Sequence, residues 1–353
     1  MSKTQLCAAI FKCAFLKGCY NFQLGGCLME ETERYYRIGG LTISLRGPDF
    51  SENAFLRPFR CERSVPDVSF TVVIGHPTMP KQQPVQRSEH KVEYLKNGRR
   101  LCVLLQEHSE APLLVREERS DGSYCVCLEE SCLPLYDNNL VLKLLELPKL
   151  LAAHGAFFLH ASFIAYGGQA ILFTAPKQTG KSTQAALWNR YRGAEIINGD
   201  RVLLRKTQGV WAACGSPYCG TSGICKNRVL PVRAIVLLSQ AEKNEVFPAG
   251  AKETAAAFLN GCTYEPQTQT EAMLDFALNI WQEIPIFRFA CRPDASAVLC
   301  LEQALAKEYP ERTIHSIRSQ SRKPENTGFT PSSSLPCWMR GSGKKRRQPD
   351  RKE

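Results

Sequence analysis

Apolar positions in this chain come in short runs, at first separated by turn dipeptides and later alternating with helical periods. Phe70-Thr71-Val72-Val73-Ile74 is a short apolar strand ended by Gly75 and Pro77. Asn97-Gly98 separates the run 92–95 from 101–105, and Asp121-Gly122 separates 113–115 from 124–127. Both dipeptides supply the positive φ that two-residue hairpin turns demand, so two antiparallel hairpins are expected. Residues 29–135 read as a β-rich N-terminal domain with no catalytic constellation, fitted for packing or for holding a substrate.

The pattern then changes. Asp137-Asn138-Asn139 can cap a helix carrying Leu140, Leu144, Leu147 and Leu151, with Gly155 as its stop and Pro148 as a kink or split. Gly167-Gly168 lies between the apolar runs 157–164 and 170–173, which predicts an antiparallel pair of strands bringing His160 towards the strand ends. Beyond a helix ended by Gly193, strands are expected at 195–197, 202–205, 210–212 and 234–238. Helices near 253–258 and over 271–282, a strand at 284–289 and a helix at 295–307 complete an α/β domain, placed at 136–316.

Inside that domain, Ala170-Ile171-Leu172-Phe173 runs into Ala175-Pro176-Lys177-Gln178-Thr179-Gly180-Lys181-Ser182-Thr183, followed by helix-compatible Gln184-Ala185-Ala186-Leu187-Trp188. This is the pattern of a phosphate-binding loop in its required strand–loop–helix context, with Ala175 where the first glycine normally stands. Backbone N–H groups and the helix N-terminus converge on phosphate oxygens. Gly180 allows close approach, Lys181 reaches the β- and γ-phosphates, and the Ser182 hydroxyl is placed to ligate Mg²⁺. A methyl group at Ala175 is tolerable if that residue keeps negative φ.

Composition narrows the field. The net charge is +11 over 353 residues, but residues 318–353 carry +7 and residues 1–28 carry +3, leaving about +1 for the rest. A nearly neutral globular part argues against nucleic acid as a partner. No apolar run approaches the roughly 20 residues of a membrane-spanning helix. The tail 317–353, with Ser332-Ser333-Ser334 and Lys344-Lys345-Arg346-Arg347, reads as disordered. Residues 1–28 read as a leader preceding a natural start at Met29. Sixteen cysteines are scattered, many inside apolar stretches and none in a C-x-x-C pair. They read as buried reduced thiols of a cytoplasmic protein. The chain does not declare an oligomeric state.

The segment from His160 to Val202 resembles the C-terminal catalytic domain of HPr kinase/phosphorylase, a P-loop kinase of the PEP carboxykinase-like fold. The order of parts carries the likeness: a His on a hairpin strand, a Gly in the turn, an apolar strand into a P-loop, and an Asp after the next strand. The family's V-A-D-D corresponds to Ile197-Asn198-Gly199-Asp200, so the acidic pair is reduced to Asp200. Gly220-Thr221-Ser222-Gly223-Ile224 and Asn227 resemble the later G-x-G-I-x-N element, with Pro217 about where a metal-associated Glu would stand and Thr183 in place of the P-loop Glu. The likeness spans roughly residues 155–305 and is nearer to the HPr-kinase-like proteins of bacteria, some of which phosphorylate peptides. It implies ATP and Mg²⁺ as cofactors, Ser182 and Asp200 at the metal, His160 and Asp200 as catalytic residues, and a serine-bearing peptide or protein as substrate. The other reading of the same residues is a catalytically degenerate nucleotide-binding module that recognises a partner. Arg228, Arg288 and Arg292 are further candidates for phosphate contacts.

Overall fold

Residues 32–47, 55–106, 109–129, 145–263 and 266–308 are described by the computed structural model; the leader, the tail and the expected cap at Asp137-Asn138-Asn139 lie outside them. Among the described residues the architecture is mixed α/β and dominated by strands in two large sheets. No helix there is long and apolar enough to cross a membrane.

The first sheet contains β1 (Thr32–Ile38), β2 (Leu41–Gly47), β3 (Arg60–Cys61), β4 (Val68–Gly75), β5 (Gln86–Arg87), β6 (Lys91–Lys96), β7 (Arg99–Leu105), β8 (Pro112–Glu118) and β9 (Tyr124–Glu129). Their order is β3-β1-β2-β4-β9-β8-β7-β6-β5. Asn97 and Gly98, at φ 53° and 77°, make the expected two-residue turn, with Lys96 facing Arg99. The second hairpin also forms, β8 antiparallel to β9, but its turn is longer than a two-residue one. Gly122 alone takes positive φ (78°), and the Arg119 N–H closes a longer loop on the Ser123 carbonyl at 2.8 Å. Asp121 stays out of the left-handed region because its carboxylate accepts from the Ser123 N–H and hydroxyl, at 2.9 and 2.7 Å.

A short helix, α1 (Leu147–Ala152), leads to the second sheet. Pro148 lies in its first turn, where a missing N–H costs nothing, so it starts this helix and does not kink it. Glu146 just before it has φ 43° and meets Arg116 of β8, while Lys91 of β6 lies 2.8 Å from its other oxygen. Burial opposes ionisation of Glu146, but Arg116 and Lys91 outweigh it and hold its pKa at about 2. Such a lowered carboxylate stabilises the fold above its unfolded pKa of about 4.5, and that stability is lost as pH falls towards 2. Glu146→Gln is therefore expected to lower Tm at pH 7 and to flatten stability between pH 4.5 and 2 in acid-unfolding curves. Curves parallel to wild type through that window would show that the pair contributes nothing.

The second sheet holds β10 (Phe157–Tyr166), β11 (Gln169–Thr174), β12 (Glu195–Asn198), β13 (Arg201–Thr207), β14 (Val210–Cys214), β15 (Val229–Gln240), β16 (Glu245–Pro248), β17 (Cys262–Thr263) and β18 (Ile286–Cys291). The helices are α2 (Lys181–Arg192), α3 (Ala251–Gly261), α4 (Pro266–Glu283) and α5 (Ala295–Glu308). The path runs β11-β10-β13-β14-β15-β18-β16, and β11 also pairs with β15. Gly167 and Gly168 (φ 59° and 75°) turn β10 into β11, which is thus antiparallel to β10 but parallel to β15, itself parallel to β18.

The continuous apolar spelling of β11 follows from burial on both faces. Ala170 and Leu172 join one core with Phe258 of α3 and Met273, Phe276 and Ile280 of α4; Ile171 and Phe173 join the other with Trp188 of α2 and Val298 and Leu301 of α5. A third core takes Phe158 of β10 and Leu203 of β13 against Tyr36, Ile38, Ile43 and Phe70 of the first sheet. The β1–β2 turn is drawn onto that junction. Gly40 takes φ 88°, the left-handed region that favours glycine, and packs against the tip of the Arg205 side chain.

Candidate functional site

The parallel strands β11, β15 and β18 end on one edge of the sheet. The loop leaving β11 is built there. Gln178 (φ 65°) and Gly180 (φ 114°) bend the backbone, and Gly180 is the N-cap of α2. Ala175 is not among the positive-φ residues, so its methyl fits without strain. The Thr179 hydroxyl donates to the Pro176 carbonyl at 3.0 Å, and the Gln240 side-chain amide at the end of β15 donates to the Gln178 carbonyl at 3.3 Å.

Lys181 is buried at 7% exposure, its ammonium donating to the carbonyls of Ala175 (2.9 Å) and Pro176 (3.0 Å). Burial lowers its pKa and the Asp200 carboxylate partly restores it. Ser182 and Thr183 are exposed at the first turn of the helix, and Pro176, Lys177 and Gln178 are exposed around the loop. These features fit a phosphate group. A buried cation lies inside the loop, at the N-terminus of a twelve-residue helix, with the Ser182 hydroxyl exposed beside it.

His160 and Asp200 come together across the β10–β13 pair. The Ala161 N–H bonds the Asp200 carbonyl at 2.9 Å, and Thr174, the last residue of β11, donates its hydroxyl to the His160 carbonyl at 3.0 Å. His160 Nε2 lies 3.3 Å from Asp200 Oδ1. The hydrogen bond with His160 holds the Asp200 carboxyl below the ordinary carboxylate range; burial opposes this, while the charges of His160, Arg201 and Lys181 add to it. Both groups are about 29% exposed in their side chains, so solvent and ligands reach them.

Asp200 is aimed by residues that the sequence reading passed over. Asn198 is fully buried; its Oδ1 accepts from the N–H groups of Asp200 and Arg201, both at 2.9 Å. Its amide donates to the carbonyls of Ser216 (2.9 Å) and Tyr218 (3.2 Å), tying the turn to the loop that follows β14. Gly220 (φ 55°) packs on Asp200, where a Cβ would stand 2.9 Å from its carboxyl carbon. A Cβ at Gly199 would fall 2.0 Å from the Ser222 hydroxyl, so a second acidic side chain has no room there unless Ser222 moves. The three arginines put forward for phosphate contacts each pair with an acid: Arg228 with Glu195, Arg288 with Glu253 and Arg292 with Asp294, each at 3.1 Å.

No family model matches the chain, and no curated protein does either. Among solved structures it is similar to the Hpr(Ser) kinase/phosphatase from Coxiella burnetii, at 13% identity and a TM-score of 0.25, covering 46% of this chain and 93% of that one. The similarity is weak.

Proposed function

We propose that the chain is an ATP- and Mg²⁺-dependent kinase that transfers the γ-phosphoryl group to a hydroxyl, the acceptor being a serine of a peptide or protein as the motif resemblance implies. The observation that carries this reading is the His160–Asp200 pair, held beside the first residue of a phosphate-binding loop and within electrostatic reach of Lys181. The loop N–H groups, Lys181 and the α2 N-terminus would hold the triphosphate; Ser182 and Asp200 would hold Mg²⁺. Bound ATP and Mg²⁺ would supply the phosphoryl group and neutralise its charge.

The protein's own part is positioning and proton traffic. An ionised Asp200, its carboxyl held low, suits a metal ligand and can orient the acceptor hydroxyl. His160 is placed to share the hydroxyl proton with it. The free cysteines among the described residues, most of them buried, fit a reducing cytoplasm.

Incubation with ATP and Mg²⁺ and the peptides and proteins encoded beside this gene, read by mass spectrometry, tests the reading. It expects a mass gain of one phosphate on a serine, together with ADP release that depends on the acceptor. Tight ATP binding with no acceptor-dependent ADP would favour the degenerate binding module, a reading supported by the crowding at Gly199.

Gly220→Ala probes the aim of Asp200. The new methyl must displace the carboxyl it strikes, and misplacement on the order of 1 Å costs roughly a hundredfold in rate. The left-handed position adds about 1–2 kcal/mol of instability. Transfer should fall by about ten- to a hundredfold while ATP affinity stays near wild type. Equal loss of both in kinetics and calorimetry would mean general collapse of the loop.

A further inference from the structure

Arg201 is a guanidinium at the acceptor end of the site whose donors are not used up. It is the register partner of His160 across β10 and β13, so the two side chains leave the same face of the ladder. The Asp200 carboxylate stands between them, Oδ1 3.3 Å from His160 Nε2 and Oδ2 3.7 Å from Arg201 Nε. Arg201 Nη1 donates to the Thr263 hydroxyl on β17, and the guanidinium carbon lies 5.8 Å from the centre of the Tyr218 ring. The backbone is fixed as well: its N–H bonds Asn198 Oδ1 at 2.9 Å, and its carbonyl accepts from the Ser216 hydroxyl at 2.5 Å.

A guanidinium has five N–H donors in a planar fork. Thr263 occupies one and Asp200 faces another at 3.7 Å, and among the described residues no other side chain or carbonyl takes the rest. The side chain is 37% exposed, so those donors are open to a ligand. Its partners differ from those of the loop lysine: Lys181 is held by Ala175 and Pro176, Arg201 by Thr263 and Tyr218. The fork matches carboxylate geometry, and it is pre-ordered on three sides, so little side-chain entropy is lost on binding.

We propose that Arg201 is a specificity-determining residue that binds a carboxylate carried beside the acceptor hydroxyl, seating that hydroxyl against Asp200. The hydroxyl in this statement rests on the kinase reading; the carboxylate preference does not. Two acetylated and amidated peptides, identical except for Asp-Ser-Asp in one and Asn-Ser-Asn in the other, test it by fluorescence anisotropy on the full chain with Mg²⁺ and a non-hydrolysable ATP analogue. The wild type should bind the acidic peptide at least about tenfold tighter, or about 1.4 kcal/mol. Arg201→Gln should lose that preference. Arg201→Lys, which keeps the charge without the fork, should retain part of it and serves if the glutamine variant does not fold.

Equal affinities in the wild type, or a preference that survives Arg201→Gln, would overturn the proposal. Acceptor-dependent ADP release in the same samples with ATP separates the two ideas. A preference without transfer leaves Arg201 a carboxylate-binding residue and removes the kinase reading; transfer without a preference does the reverse.

Discussion

Lys181→Ala is expected to weaken ATP binding by about 10- to 150-fold, with the fold retained. The ammonium is buried inside the loop and spends its donors on the carbonyls of Ala175 and Pro176. That arrangement parks a desolvated cation where phosphate oxygens would displace the carbonyls, so arrival of the triphosphate exchanges neutral acceptors for charged ones. A charged hydrogen bond is worth about 1.5–3 kcal/mol, which converts to the stated range at about 1.4 kcal/mol per factor of ten. The pull of Asp200 on Lys181 helps keep the amine protonated while it waits. Lys181→Gln offers the carbonyls an amide donor without the charge and controls for collapse of the empty loop. Calorimetry on both variants, with Tm measured alongside, checks this. Unchanged ATP affinity in a folded Lys181→Ala protein would remove the phosphate-binding loop from the account.

Where one local rule decided the outcome, the chain was readable. The strand before the loop is apolar from Ala170 to Phe173 because both faces are buried, its residues filling two cores at once. Gly167-Gly168 and Asn97-Gly98 needed positive φ, and both turns form as read. Reading failed where two rules competed. Asp121-Gly122 has the letters of a two-residue turn, but the Asp121 carboxylate satisfies Ser123 and lengthens the loop. β15 was expected at 234–238; it runs from Val229 to Gln240, through Pro231. Proline is tolerated because Pro231 faces Ala212 of β14 on one side, while pairing with β11 begins only at Val232 on the other.

The site divides in the same way. The phosphate loop is contiguous, so its residues announce themselves together. The His160–Asp200 contact joins a residue of β10 to the turn just before β13 and exists only because β10 and β13 pair; periodicity cannot foresee it, and the motif resemblance supplied it. Asn198 carried no signal, since Asn-Gly reads as an exposed turn, whereas the structure buries the asparagine completely to hold two backbone N–H groups. The arginines illustrate the limit of reading charge from letters. Arg228, Arg288 and Arg292 are each met by a carboxylate away from the His160–Asp200 pair, whereas Arg201, beside Asp200, sat unremarked.

Asp200→Asn is expected to lower phosphoryl transfer by at least ~10², the lower end for loss of a general base, while leaving the fold intact. The substitution keeps the shape that Gly220 packs against and removes only the charge. An amide can still meet His160 through its oxygen and face Arg201 weakly, so the turn held by Asn198 should persist. What is lost is a carboxylate that stays ionised because His160, Arg201 and Lys181 all favour its charged form. That carboxylate is the site's anionic group for Mg²⁺ and for the hydroxyl proton under the kinase reading. The acid-side stability that a lowered carboxyl confers above its unfolded pKa should diminish as well, which makes the variant's stability less dependent on pH below about 3.8. His160→Ala should cost less, because it leaves the charge in place and removes only its orienting partner. The decisive measurement is single-turnover transfer at saturating ATP and acceptor, beside ATP affinity and Tm. Wild-type rates in a purified Asp200→Asn protein would make Asp200 a turn residue and leave the chain as a nucleotide-binding module; a drop in affinity and rate together would assign it to metal-assisted binding of the triphosphate instead of to the acceptor.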